Sequence, residues 1–236
     1  MGYLNENGYL KDSGFERLAG SMAVNVQPVS WFKTGLQMNG SHQNFNNTNG
    51  SSDASYTNVF MYCRNIAPIY PVHLHDVNTG EYILDSFGNK QYDPGSYEDA
   101  EGNIIPTRNQ YVDRHVMWEN ELNYDRTVRN TLNATAYATF TLPYGFAATV
   151  KANINTRNSR NHTYNSAVIG DGKGSEGRAK RVEYSYKNYT FQQQLEWAHD
   201  YGKHSVDALV GHENYSYEYN YLYGYKTSEI VAGWGN

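Results

Sequence analysis

The sequence predicts an all-β protein, an antiparallel up-and-down meander of about six long strands with long loops gathered at one end. Three observations predict it. The 236 residues hold 23 Tyr, 27 Asn and 21 Gly but only 6 Pro, and Tyr, Thr and Phe fit pleated surfaces whereas Asn and Gly favour turns and depress helix. Apolar and polar residues alternate with a period of two over long stretches, the pattern of a strand with two different faces. The connections alternate between tight and long, which in a meander sorts the tight turns to one end and the long loops to the other.

A strand at about 15–27 puts Leu18, Gly20, Met22, Val24 and Val26 on one face, with Arg17, Ala19, Ser21, Ala23, Asn25 and Gln27 on the other. Pro28-Val29-Ser30 turns it into a strand at about 31–42, with Phe32, Thr34, Leu36 and Met38 opposite Lys33, Gly35, Gln37 and Asn39. Residues 43–126 then lose the alternation over a length far beyond an ordinary connection. Their own turn signals (Asn78-Thr79-Gly80, Phe87-Gly88-Asn89, Asp93-Pro94-Gly95, Glu101-Gly102-Asn103) predict a folded excursion with small hairpins. Residues 114–125 alternate as well, but as a spanning strand they would put the later turns at the wrong ends, so they belong to the excursion. Strands at about 127–142 and 146–159 flank Pro143-Tyr144-Gly145, a loop covers 160–182, and strands at about 183–198 and 204–220 flank the turn at His199–Lys203.

Several functions are excluded. A net charge of −5 leaves no basic field for nucleic acid. No apolar run reaches the length of a membrane-spanning helix, and the single Cys63 forms neither an intrachain disulfide nor a four-cysteine zinc site. No Gly-x-Ser-x-Gly elbow or HExxH occurs, and Gly170–Gly174 lacks the order of a phosphate cradle; no enzyme activity and no cofactor are expected. His73, His75 and Asp76 read as solvated loop residues rather than metal ligands, and Asp85, Asn89, Asp93, Glu98, Asp99 and Glu101 lack the spacing of a calcium loop, so no metal is assigned. The ligand-facing loop candidates are Tyr70, Tyr82, Tyr92, Tyr97, Tyr111 and Trp118, whose rings suit sugar or peptide contacts. The competing reading is that they pack small cores of the excursion itself.

The apolar faces carry no charge, as hydrocarbon contact demands, and Trp31, Tyr144, Trp197 and Tyr201 cluster beside the tight turns as an interfacial girdle would. Two readings follow: a piece of a transmembrane barrel, or a soluble secreted all-β carbohydrate-binding module that buries those faces against a second sheet. Six strands do not close a barrel. Met1–Asn5 lacks the basic and apolar stretches of a signal peptide, so Met1 reads as an internal residue rather than a precursor terminus.

The residues resemble a family. Gly2-Tyr3-Leu4, Asn7-Gly8-Tyr9, Phe15–Gly20 with Val24-Asn25-Val26, and Trp31–Leu36 resemble the early barrel of the SusC/RagA-type TonB-dependent outer-membrane transporters of Bacteroidetes. Ala67–Val72 with Thr79-Gly80-Glu81 and Gly88-Asn89 looks like their first large extracellular loop; Leu142–Phe146, Tyr201–Ser205 and Ala208–Glu213 look like later periplasmic turns and the strand after them. The resemblance implies a partial barrel over 1–236, part of a 22-stranded transmembrane β-barrel in the cell outer membrane. It further implies nutrient import (glycan, oligosaccharide or peptide), a SusD-like surface lipoprotein as lid, and TonB acting through a plug. The plug, the TonB box and the terminal barrel strand have no counterpart in these residues.

Overall fold

The computed structural model describes residues 1–47 and 58–228. The strands, in chain order, are β1 (Gly2–Asn7), β2 (Gly14–Val29), β3 (Phe32–Asn47), β4 (Ser96–Glu98), β5 (Ile104–Pro106), β6 (Tyr124–Thr141), β7 (Phe146–Asn165), β8 (Arg178–Tyr201) and β9 (His204–Thr227). Seven of them form one sheet in the order β1-β2-β3-β6-β7-β8-β9, each antiparallel to its neighbour, while β4 and β5 make a separate hairpin. From β3 through β9 the register runs without a shift; the irregularity in β2 falls between Val26 and Val29, where Pro28 sits and cannot donate to a ladder.

The predicted meander is present, and three details differ. A short strand, β1, precedes the first predicted one and pairs Gly2–Asn7 with Gly14–Ala19. The strands beside the long loops run further than their alternation suggested, to Asn47, Asn165 and Thr227; at the first two the residues are mostly polar on both sides, so the two-sided pattern fades while the backbone ladder continues. Within the predicted loop over 160–182, β7 and β8 reach to Asn165 and back from Arg178, and Gly170–Ser175 form a 3-10 turn between them. Residues 48–57 of the predicted excursion and the stretch after Ser228 lie outside the described residues.

All three tight turns fall at one end. The β6–β7 turn places Tyr144 and Gly145 in the left-handed region, with φ of 64° and 82°. A Cβ on Gly145 would lie 2.1 Å from the Ala198 carbonyl oxygen, so only glycine lets this turn lie against β8. The Trp197 indole donates to the Tyr144 carbonyl at 3.1 Å and ties the turn there. Aromatic rings gather at this end: Trp31, Phe32 and Phe140 form one cluster, and Phe146, Trp197, His199 and Tyr201 form a second.

Cross-strand register decides which side chains share a face. Leu132, Ala134, Ala136, Ala138 and Phe140 on β6 lie beside Thr156, Ile154, Ala152, Val150 and Ala148 on β7, of which the last four lie beside Tyr189, Phe191, Gln193 and Leu195 on β8. The band is nine residues long on each strand, Leu132–Phe140, Phe146–Ile154 and Tyr189–Trp197, the length a strand needs to cross hydrocarbon. None of its side chains on this face is charged. Beyond the band, towards the long loops, the same face turns polar, with Arg160 paired to Glu183 and Lys187 to Glu218. No second layer covers the apolar face among the described residues: Leu18, Met22 and Val24 are 54%, 51% and 47% exposed.

Candidate functional site

The excursion between β3 and β6 folds over the loop end on polar interactions. Helix α1 (Val59–Asn65) starts at Asn58, whose side-chain oxygen accepts from the Phe60 and Met61 amides at 2.9 and 3.2 Å, a standard N-cap. Three aspartates then close three turns. Asp76 accepts from the Asn78 and Thr79 amides, Asp85 from Phe87 and Asn89, and Asp99 from Glu101 and Asn103. These backbone hydrogen bonds hold all three carboxyls below the usual carboxylate range. The acidic stretch therefore works as turn chemistry. Among the described residues no group of three or more His, Cys, Asp or Glu is placed to hold a metal ion.

The centre of the excursion is the ion pair of Asp93 and Arg108, both side chains fully buried. The guanidinium donates to the carbonyls of Asp93, Gln110 and Tyr111 at 2.9 to 3.0 Å and to that of Arg114. Asp93 accepts from the Gly95 amide and the Thr107 hydroxyl, both at 2.6 Å. One side chain thus satisfies four carbonyls of a loop that has almost no strand ladder to use them.

Helix α2 (Val116–Leu122) follows. The His115 ring nitrogen accepts from the Trp118 amide at 3.2 Å, and the Glu119 carboxylate accepts from the His115 amide at 3.1 Å, a reciprocal cap. Burial, with the nearby Arg108 charge adding to it, pushes the His115 imidazole down to about 4. Burial pushes Glu119 up to about 7 against the pull of Arg114, whose guanidinium lies 2.9 Å away. Arg114 also pairs with Asp171, and the Gly170 amide donates to the Asp113 carbonyl at 3.0 Å, so α2 is clamped to the loop between β7 and β8. On the other side Lys11, in the β1–β2 turn, pairs with Glu121, and Tyr9 packs on Phe60. A cleft of about 920 Å3 opens between that turn and the start of β6, lined by Tyr9, Lys11, Asp12, Glu121 and Asp125.

The six aromatic candidates divide. Tyr92 stacks between His73 and His115, with ring centroids 5.3 and 4.7 Å away, and its hydroxyl donates to Glu121. Tyr111 packs edge-on to Tyr62, and Trp118 lies 6.2 Å from Tyr92. The Tyr70 hydroxyl donates to Asn109, and the Tyr97 hydroxyl accepts from the Val77 amide. Tyr82 is the most open, 46% exposed, with His75 at 4.3 Å and the Lys90 ammonium 3.6 Å from its ring centre. Tyr92, Tyr111 and Trp118 are thus joined into the excursion's interior, while Tyr82 with Phe87 at the next turn tip faces outwards.

Sequence reasoning missed the buried hub and the organisation of the sheet's polar face. Asp93 and Arg108 stand fifteen residues apart in irregular chain, where no periodicity links them. On the sheet, four asparagines stand side by side in one cross-strand row, Asn39, Asn133, Asn155 and Asn188. Tyrosines form pairs on β8 and β9, Tyr184 with Tyr221 at 5.2 Å and Tyr186 with Tyr219 at 4.8 Å. The alternation within each strand assigns the face, but only the register shows which residues are neighbours.

No protein-family model and no curated protein matches the chain. Among solved structures it is similar to a chain of the RagAB peptide transporter, at a TM-score of 0.63 and 15% identity over 98% of its length. It is also similar to a chain of the RagAB peptide importer in its "open-open" state, at 0.62 and 16% over 99%. It spans 24% of the length of each of those chains. The likeness is one of fold: an antiparallel all-β meander of the kind those transporters contain.

Proposed function

We propose that this chain is a section of wall and outer loops of a SusC/RagA-type outer-membrane importer, a 22-stranded barrel that takes up peptide or oligosaccharide. The observation that carries this reading is the uncharged band, nine residues long on each of β6, β7 and β8 and continuous across them, open to solvent and bordered by aromatic rings at the tight-turn end. A soluble carbohydrate-binding sandwich would cover that band with a second sheet. The sheet edges support the same reading. β1 covers only Gly14–Ala19 of β2, and β9 has a partner on one side only among the described residues; open edges are not tolerated in hydrocarbon, so these continue into further strands of a closed barrel.

In this reading the tight turns face the periplasm and the excursion faces outwards, where Tyr82, with Tyr70, Tyr92, Tyr97, Tyr111 and Trp118 behind or beside it, contributes to the ligand-facing rim. A SusD-like surface lipoprotein closes over that rim, and TonB drives the cycle through a plug. The comparison structures, transporters whose name pairs two components, agree with a partner of that kind. No catalytic step is assigned.

The test is to purify the protein and measure its state by size exclusion with circular dichroism, with and without detergent. Folding only in detergent or bilayers, with heat-modifiable mobility, is expected. A cooperative monomer in plain buffer overturns the reading.

A further inference from the structure

The polar face of the sheet carries a cationic strip assembled from three distant parts of the chain. In one cross-strand row Arg17 on β2 and Arg129 on β6 flank Gln43 on β3, and the row continues through Ser159 to Tyr184. In the next row Arg157 on β7 stands between Thr131 and Tyr186. Arg157 is therefore the diagonal neighbour of Arg129, about 7–8 Å away along the face, and Arg17 lies two strands from Arg129, about 10 Å.

None of the three arginines has a carboxylate within ion-pair distance among the described residues, where the ion pairs fall elsewhere. Arg157 lies 4.3 Å from the Tyr186 ring centre, and Arg129 lies 5.0 Å over Phe45 with its Nε buried and without an acceptor. Of the acidic groups on this face, Asp125 accepts from Asn161 and Glu213 from Gln192, while Glu6 on β1 is the diagonal neighbour of Arg17 but forms no ion pair with it. A hollow of about 340 Å3 sits beside the strip, bounded by Arg17, Ser41, Gln43 and Thr131. Guanidinium groups that form no ion pair among the described residues, two of them held over aromatic rings, match planar carboxylates. Below them the row of four asparagines offers paired donors and acceptors for hydroxyls or amides.

We propose that Arg17, Arg129 and Arg157 bind carboxylate groups of the imported ligand and so make this wall selective for acidic chains. The inference rests on the importer reading, and deepens it by naming the charge class of the cargo. Carboxylates of this kind come from uronic acids or from acidic peptides, and the same contacts serve both.

The full protein, purified in detergent, is titrated calorimetrically with tetragalacturonate and maltotetraose, and with tetraglutamate and tetraserine peptides. The expected result is that one acidic probe binds at least tenfold tighter than its neutral counterpart, and which of the two it is names the source. Arg129→Gln and Arg157→Gln each weaken the acidic probe about tenfold and leave the neutral one unchanged; Arg17→Gln, at an exposed position that folding tolerates best, gives the same direction. Equal binding of acidic and neutral probes, or unaltered preference in variants that keep heat-modifiable mobility, overturns the inference. So does failure of every probe to bind a detergent-folded protein, which leaves the importer reading standing. A protein that is monomeric in plain buffer overturns the importer reading itself.

Discussion

Tyr137 donates its hydroxyl to the Asn25 side-chain oxygen at 2.9 Å, although the whole of β3 runs between their strands. The residue between them in the row is Gly35, and a Cβ there would lie 2.5 Å from the Tyr137 ring and 2.3 Å from Asn25 Oδ1. The missing side chain is what allows the ring to lie across β3. Gly35→Ala should displace the ring, break the hydrogen bond and cost about 1–3 kcal/mol, read as a lower urea midpoint in detergent. Tyr137→Phe, which removes only the hydroxyl, should cost about 1 kcal/mol; an equal cost for both would mean the steric argument is wrong.

The two faces of β6 predict opposite tolerance. Ala136→Arg puts a charge in the middle of the uncharged band and should cost about 2–4 kcal/mol of stability in bilayers. Thr135→Arg, one residue away on the polar face, should cost little. Unfolding titrations from lipid vesicles compare them, and similar losses would remove the assignment of faces.

Arg108 holds four carbonyls and one buried carboxylate. Arg108→Met leaves Asp93 as an uncompensated buried charge and should cost about 3–5 kcal/mol. The loss is local: hydrogen exchange should show protection falling across residues 93–115, with β7 to β9 unchanged.

His115 and Glu119 make the excursion respond to pH in opposite senses. His115, held at about 4 against 6.5 in the unfolded chain, contributes stability that is full above pH 6.5 and is lost as pH falls through about 4. Glu119, held at about 7 against 4.5, contributes stability that is full below pH 4.5 and is lost as pH rises through about 7. Each is worth about 3 kcal/mol, and between pH 4.5 and 6.5 the two slopes cancel. Opening of the excursion, followed by hydrogen exchange corrected for intrinsic rate, should be nearly flat over that window in the native protein. Glu119→Gln should restore a rise of about 3 kcal/mol from pH 4 to 6.5. A flat profile in that variant would mean His115 titrates normally.

The strands were legible because one face is apolar and the other polar over the middle of each, and a period of two carries that contrast. Their outer ends were not, since Arg126 and Asp125, or His162 and Thr163, are polar on both faces and only the backbone ladder holds them in the sheet. The excursion was recognisable as folded from its Asp and Gly turn residues, which the structure uses as such at Asp76, Asp85 and Asp99. Its interior was not, because a buried arginine such as Arg108 looks in sequence like any surface arginine. The aromatic candidates show the same limit: Tyr82 and Tyr92 stand ten residues apart with similar surroundings in sequence, and only folding puts one outside and the other between two imidazoles.

The unbroken register from β3 to β9 restricts how such a chain can vary in length. Adding or removing one residue inside β6 would exchange the two faces over the rest of that strand, setting Thr135 and Asn133 where Ala134 and Ala136 now stand. Changes of two residues, or of one absorbed by a bulge like that before Val29, keep the faces. The excursion and the loop between β7 and β8 carry no such parity. New sequence can therefore accumulate at the long-loop end, while the tight-turn end and the band above it keep a fixed count.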